Sequence, residues 1–169
     1  MDYTIEDDFD VSAERYWEVF FSEEYNAAMW PALEIEHELL MLERTGEGAD
    51  LKIERKQRLT PKREVPGFLK KFVADKIAYT EHNHFSRKDN VMKTVTTPSF
   101  MAEKIKTEGV YRLVELGPNK VRRIWEGSAK VSVPLLGGRI EKHLVGEIRE
   151  SYRKATEFTR KWHKEHPAP

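Results

Sequence analysis

The sequence predicts an α+β fold: a curved antiparallel sheet of about six to seven strands wrapped around a long C-terminal helix, with two short helices after strand 1. Three observations lead there. Between Leu33 and Val133 apolar residues recur at every second position, in runs broken by short turns. Ahead of that stretch the spacing is helical. Behind it, from Arg139 to about Lys164, one apolar stripe continues at helical spacing.

The elements follow in order. Tyr3, Ile5 and Phe9 mark a first strand, and Ser12 can cap the helix whose buried face is Ala13, Tyr16, Trp17 and Phe20. Ser22 is a second cap, and the short helix it opens is expected to stop before Pro31, because the residue preceding a proline resists the α region. "LEIEHELLMLE" then alternates Leu33, Ile35, His37, Leu39 and Met41 against Glu34, Glu36 and Glu38. After a "TGEG" turn, Leu51, Ile53, Arg55, Gln57 and Leu59 return on the matching face. Further strands are read in "KIAYTEHNHFS", "VMKTVTT", "KIKTEGVYRLVEL" and "KVRRIWEGSAKVSV", linked by turns short enough for a meander. The last helix carries Ile140, Leu144, Ile148, Ala155, Phe158 and Trp162 on one stripe and spans roughly 38 Å at 1.5 Å per residue. One domain over residues 1–164 is expected, with 165–169 as a flexible tail.

At the last strand-to-helix junction, "VSVPLLGGRIEK" places Gly137 and Gly138 ahead of a helix, where glycines can cradle a phosphate. That chemistry needs a parallel βαβ context with a P-loop or a G-x-G-x-x-G pattern, and neither is present. The glycines are read as a hinge that supplies φ freedom for a sharp reversal.

The element order resembles the helix-grip arrangement of the START-like (SRPBCC) superfamily, which includes the birch-pollen-allergen-like proteins and aromatic polyketide cyclases. Within it the chain is most similar to an uncharacterised bacterial family known as a domain of unknown function. "VPGFLKKFVAD" (Val65–Asp75) and "KVSVPLLGGRIEK" (Lys130–Lys142) carry that likeness. The resemblance implies a cavity for a hydrophobic ligand between sheet and long helix.

Strand phase puts polar groups on the face that the helix should cover. His37, Arg55, Gln57, Tyr79, Glu81, Asn83, Thr107, Tyr111, Arg123 and Trp125 all share it, with the small residues Gly127 and Ala129. Buried charges need partners or water. They can pair with one another in a filled core, or they can anchor a ligand in an amphipathic cavity. In the second case Tyr79, Tyr111 and Trp125 supply flat apolar contact, and Arg55 and Arg123 meet a polar or anionic head group. His37, Gln57 and Glu81 offer hydrogen bonds, while Leu144 and Ile148 belong to the lid. Arg123→Leu is then expected to weaken binding and leave the fold intact.

The longest connection holds Phe68, Leu69, Lys70, Lys71 and Phe72. Such an apolar wedge ringed by basic residues can touch an anionic membrane transiently, or it can plug one end of the grip as a short helix. A plug that opens at a membrane is a gate.

Composition closes other routes. Lys+Arg and Asp+Glu both number 29, so nucleic-acid binding by bulk charge is not expected. No cysteine is present, which excludes disulfides and thiolate chemistry. Neither a secretory signal nor an 18-residue apolar run is visible, and a cytoplasmic location is expected. His82 and His84 point the same way, as metal ligands do, but on the convex solvent face and with no third ligand placed by sequence. No metal and no cofactor are expected. His163 and His166 are assigned to the surface of a fraying helix end.

The expected function is binding or carriage of a lipid or other hydrophobic small molecule. The alternatives are a cyclase or aromatase with Glu81 or His37 as general base, and a co-chaperone-like interaction module.

Overall fold

A computed structural model describes residues 1–169. The strands are β1 (Asp2–Phe9), β2 (Ile35–Thr45), β3 (Lys52–Pro61), β4 (Tyr79–Ser86), β5 (Val91–Pro98), β6 (Ile105–Gly117) and β7 (Lys120–Val131). They form one antiparallel sheet in the order β1-β7-β6-β5-β4-β3-β2. The first strand therefore pairs with the last, while β2 to β7 run as a meander. Helices α1 (Ala13–Phe20) and α2 (Glu23–Ala32) lie between β1 and β2, and α3 (Gly137–Glu165) ends the fold. Its 29 residues extend about 43 Å, enough to cross the sheet.

Both serine caps form. Ser12 Oγ accepts from Arg15 N–H at 3.2 Å and Ser22 Oγ from Tyr25 N–H at 3.3 Å. Pro31 does not end its helix in advance but sits in its last turn. Leu33 N–H closes that turn on Met29 O at 3.0 Å, and the chain reverses through Glu34 at φ +58°. The missing proline N–H forfeits one bond to the preceding turn, and the helix ends at the next residue, Ala32.

The inward phase of β3, β4, β6 and β7 is as the alternation predicts, and that of β2 holds from Ile35 to Leu39 but not beyond. A bulge between Leu39 and Met41 slips the register, and Leu39 and Leu40 stand 49% and 46% exposed. At a bulge two residues oppose one, so every later side chain changes face.

Gly137 works by a different cause from the one expected. The positive φ falls on Leu135, at +66°. A Cβ on Gly137 would lie 2.5 Å from Val131 O, so glycine is needed for close approach of helix to strand.

The core follows the concave face. Tyr16, Trp17 and Phe21 of α1 and its C-cap pack on Phe85, Met92 and Tyr111. A second cluster joins α2 to α3 through Tyr25, Met29 and Leu33 with Phe158 and Trp162. Gly127 seats rings: a Cβ there would meet Tyr3 Cζ at 2.4 Å and Trp125 Nε1 at 2.8 Å.

His163 is not a surface residue. It stacks on Tyr16 with centroids 5.9 Å apart, and its Nε2 is buried without a partner. Burial, with the Arg15 charge second, lowers its pKa to about 4. The folded protein keeps it neutral, while the unfolded chain protonates near ~6.5. Stability is therefore undiminished above that pH and falls as pH drops from about 6.5 toward 4. After discounting for partial exposure, about 1–2 kcal/mol is lost across the window. His163→Phe keeps the stack, and urea midpoints at pH 7 and 5 should draw together in it. An undiminished difference refutes the assignment.

Candidate functional site

Between the sheet and α3 lies a partly open cavity of about 210 Å³. One water needs only ~10–15 Å³, so this core is not filled. Its walls are mostly apolar, with Phe20, Met29 and Trp30 from the short helices and Leu144, Ile148 and Ala155 from α3.

The polar wall comes from β3 and β4. Register sets Arg55 opposite Asn83 and Gln57 opposite Glu81. Arg55 Nε donates to Asn83 Oδ1 at 2.9 Å, and its guanidinium lies 4.0 Å from Glu81 Oε1. Glu81 Oε1 accepts from Gln57 Nε2 at 3.1 Å and from Asn83 Nδ2 at 2.9 Å. Asn83 Nδ2 also donates to Thr94 Oγ1 at 2.9 Å. The Phe20 and Phe21 rings each lie 5.0 Å from the Arg55 guanidinium. Burial lowers the Arg55 pKa, and the Glu81 charge opposes that. All of the carboxylate's contacts are made by Oε1, and Oε2 has no partner within the protein.

Arg123 has a different setting. It is 2% exposed, ion-paired with Asp7, and donates to Thr156 Oγ1 at 2.6 Å. Phe9, Tyr111 and Tyr152 surround its guanidinium at 5.2, 5.8 and 4.9 Å. Its charge is already neutralised inside the protein. Burial pushes the Tyr111 and Tyr152 phenols well above their usual range, so both stay neutral.

Of the predicted residues, Arg55, Gln57, Tyr79, Glu81, Tyr111, Arg123, Trp125, Leu144 and Ile148 come together on the cavity wall. His37 does not line it. On the edge strand it shares the inner face with Leu59, and there its Nε2 lies 2.9 Å from Gln57 Oε1 and its ring stacks on Trp30 at 5.3 Å. Gln57 spends its amide N–H on Glu81, so its oxygen accepts and His37 Nε2 is the donor. Burial lowers the His37 pKa, partly offset by Gln57.

Phe68, Leu69, Lys70, Lys71 and Phe72 form a 3₁₀ segment, Gly67–Phe72, that packs over the start of α3. Leu69 is fully buried against Phe100, Ile105, Ile140 and Leu144, and the Phe68 ring stacks under Arg139 at 4.1 Å. Lys70 and Lys71 stay in solvent. At the cavity rim Arg63, just beyond β3, is ion-paired with Glu147 of α3.

Sequence reasoning missed Tyr152, Thr96 and Tyr25 on this wall. Tyr152 was within reach: it follows Leu144 and Ile148 at i+4 steps on the helix stripe.

A seven-stranded antiparallel sheet gripping a long helix over a partly open cavity is the helix-grip fold, as in the START-like superfamily. The chain belongs to the family described as "Protein of unknown function (DUF2505)", whose model matches residues 4–162. No curated protein matches the sequence. Among solved structures, TTHA0849 from Thermus thermophilus is similar at TM-score 0.66 and 15% identity, covering 99% of this chain and 100% of that one. The ZhuI aromatase/cyclase from Streptomyces sp. R1128 is similar at 0.62 and 11%, covering 97% and 93%. A START superfamily protein from Mycobacterium smegmatis is similar at 0.57 and 19%, covering 92% and 94%. These likenesses carry the fold. No helix is long and apolar enough to cross a membrane.

Proposed function

We propose that the cavity binds an uncharged hydrophobic small molecule bearing hydroxyl groups, a neutral lipid or a ring compound of similar size. One observation carries this reading: every charged residue on the wall has a partner within the protein, while several hydrogen-bonding groups do not. The charged wall residues are Arg55 and Glu81, Arg63 and Glu147, and Arg123, which pairs with Asp7. Tyr79, Glu81, Thr96, Thr107 and Tyr152 line the cavity, and neither the four hydroxyls nor Glu81 Oε2 makes a hydrogen bond within the protein. An anionic head group would have to displace an existing pair, at the cost of stranding a carboxylate. A hydroxyl has only to pair with groups that have no partner in the protein to lose. The 3₁₀ segment closes one end, and outward movement of Phe68 and Phe72 among Lys62, Lys70 and Lys71 would give a loading route at an anionic membrane.

The test is native mass spectrometry of gently purified protein, followed by extraction of what it releases. A neutral, hydroxylated adduct at one per chain is expected, and it should be absent from Thr107→Trp, which fills the cavity. In Glu81→Gln, retention should weaken by roughly tenfold or more, because the amide oxygen must serve Gln57 and Asn83 and an NH₂ then replaces the free acceptor. A phospholipid anion, or an adduct equally retained by Thr107→Trp, would sink the proposal.

A second reading, cyclase-type catalysis on a polyketide-type substrate, is favoured by the same free Glu81 oxygen, which can take a proton. It rests on Glu81 alone, since His37 lies outside the cavity. Turnover surviving in Glu81→Gln would end it.

A further inference from the structure

On the convex face, away from the cavity, Glu54 of β3 converges with His82 and His84 of β4. Register sets Glu54 of β3 opposite His84 of β4, and Lys56 opposite His82, so the period of two turns all four to the same side. His82 Nε2 lies 2.7 Å from Glu54 Oε1, and the two imidazole centroids are 4.4 Å apart. One ligand atom from each of Glu54, His82 and His84 lies within 4.8 Å of the others.

We propose that Glu54, His82 and His84 bind a divalent ion of the zinc class. Two imidazoles and a carboxylate suit Zn²⁺, Cu²⁺ or Ni²⁺, whereas Mg²⁺ and Ca²⁺ take oxygen ligands. In a tetrahedral site with bonds of about 2.0–2.1 Å, ligand atoms stand about 3.3–3.4 Å apart. The ion therefore replaces the His82–Glu54 hydrogen bond after a side-chain adjustment of under about 1 Å, and water fills the fourth position on this solvent face. Neighbouring charges nearly cancel: Glu43 stands opposite Glu54, and Lys93 opposite His84, with Lys56 beside His82. Selectivity thus comes from ligand type and not from the local field. The same two strands carry Arg55, Gln57, Glu81 and Asn83 on their other face, so an ion here clamps the strands of the polar wall.

Tag-free, chelator-stripped protein is titrated calorimetrically with ZnCl₂ and separately with MgCl₂. One equivalent of Zn²⁺ and no Mg²⁺ should bind. His82→Ala and His84→Ala should each weaken Zn²⁺ binding by at least about tenfold, since losing even an outer-sphere partner costs about that much. An unchanged thermal midpoint without metal confirms that the variants fold. Absence of Zn²⁺ binding overturns the proposal, as does equal binding by the His82→Ala/His84→Ala double variant, which places the ion on other histidines.

Discussion

Arg123→Leu should lower the unfolding free energy by about 3 kcal/mol, the low end of what breaking a buried ion pair costs. The guanidinium is 2% exposed, whereas the Asp7 side chain keeps 22% of its surface in water. That water tempers the penalty for the carboxylate left behind. Thr156 also loses its donor, and the rings of Phe9, Tyr111 and Tyr152 lose the cation they surround. The residue that sequence phase assigns to a ligand's head group is thus first a strut between β1, β7 and α3. Urea denaturation should show a lower midpoint with the slope unchanged. If the stranded carboxylate is the cause, Asp7→Asn combined with Arg123→Leu should recover part of the loss. A midpoint equal to that of the parent protein contradicts the strut.

Leu69→Ala is expected to cost about 2–3 kcal/mol, in the lower part of the range for emptying a buried leucine site. Leu69 is fully buried, and of its neighbours Ile105 is anchored in β6 and Ile140 and Leu144 in α3, which cannot collapse onto a void. The 3₁₀ segment holding Leu69 belongs to no strand or long helix, so it should open locally before the whole fold does. Tryptic cleavage after Lys70 and Lys71, both exposed, should accelerate well beyond cleavage elsewhere. Parental stability together with parental cleavage would show that this leucine does not hold the plug.

The architecture and the polar inner face were legible in the residues alone. Period and phase are local properties of a strand or helix, and Arg55 and Gln57 declare their side by counting in twos from Ile53, Glu81 and Asn83 from Phe85. The bulge after Leu39 escaped because it adds a residue without altering the pattern of letters. Partners were not legible. Asp7 and Arg123 are 116 residues apart, and only the β1–β7 pairing sets them face to face. Whether Gly127 leaves a void or seats the Tyr3 ring depends on which side chain reaches over it. Glu54 meets His84 through the β3–β4 register. Which residues face inward was therefore settled along the chain, because burial of apolar surface is written in its periodicity. Which inward charges are satisfied, and which groups stay free for a ligand, was settled only on folding, because ladder offset and side-chain volume belong to the assembled sheet.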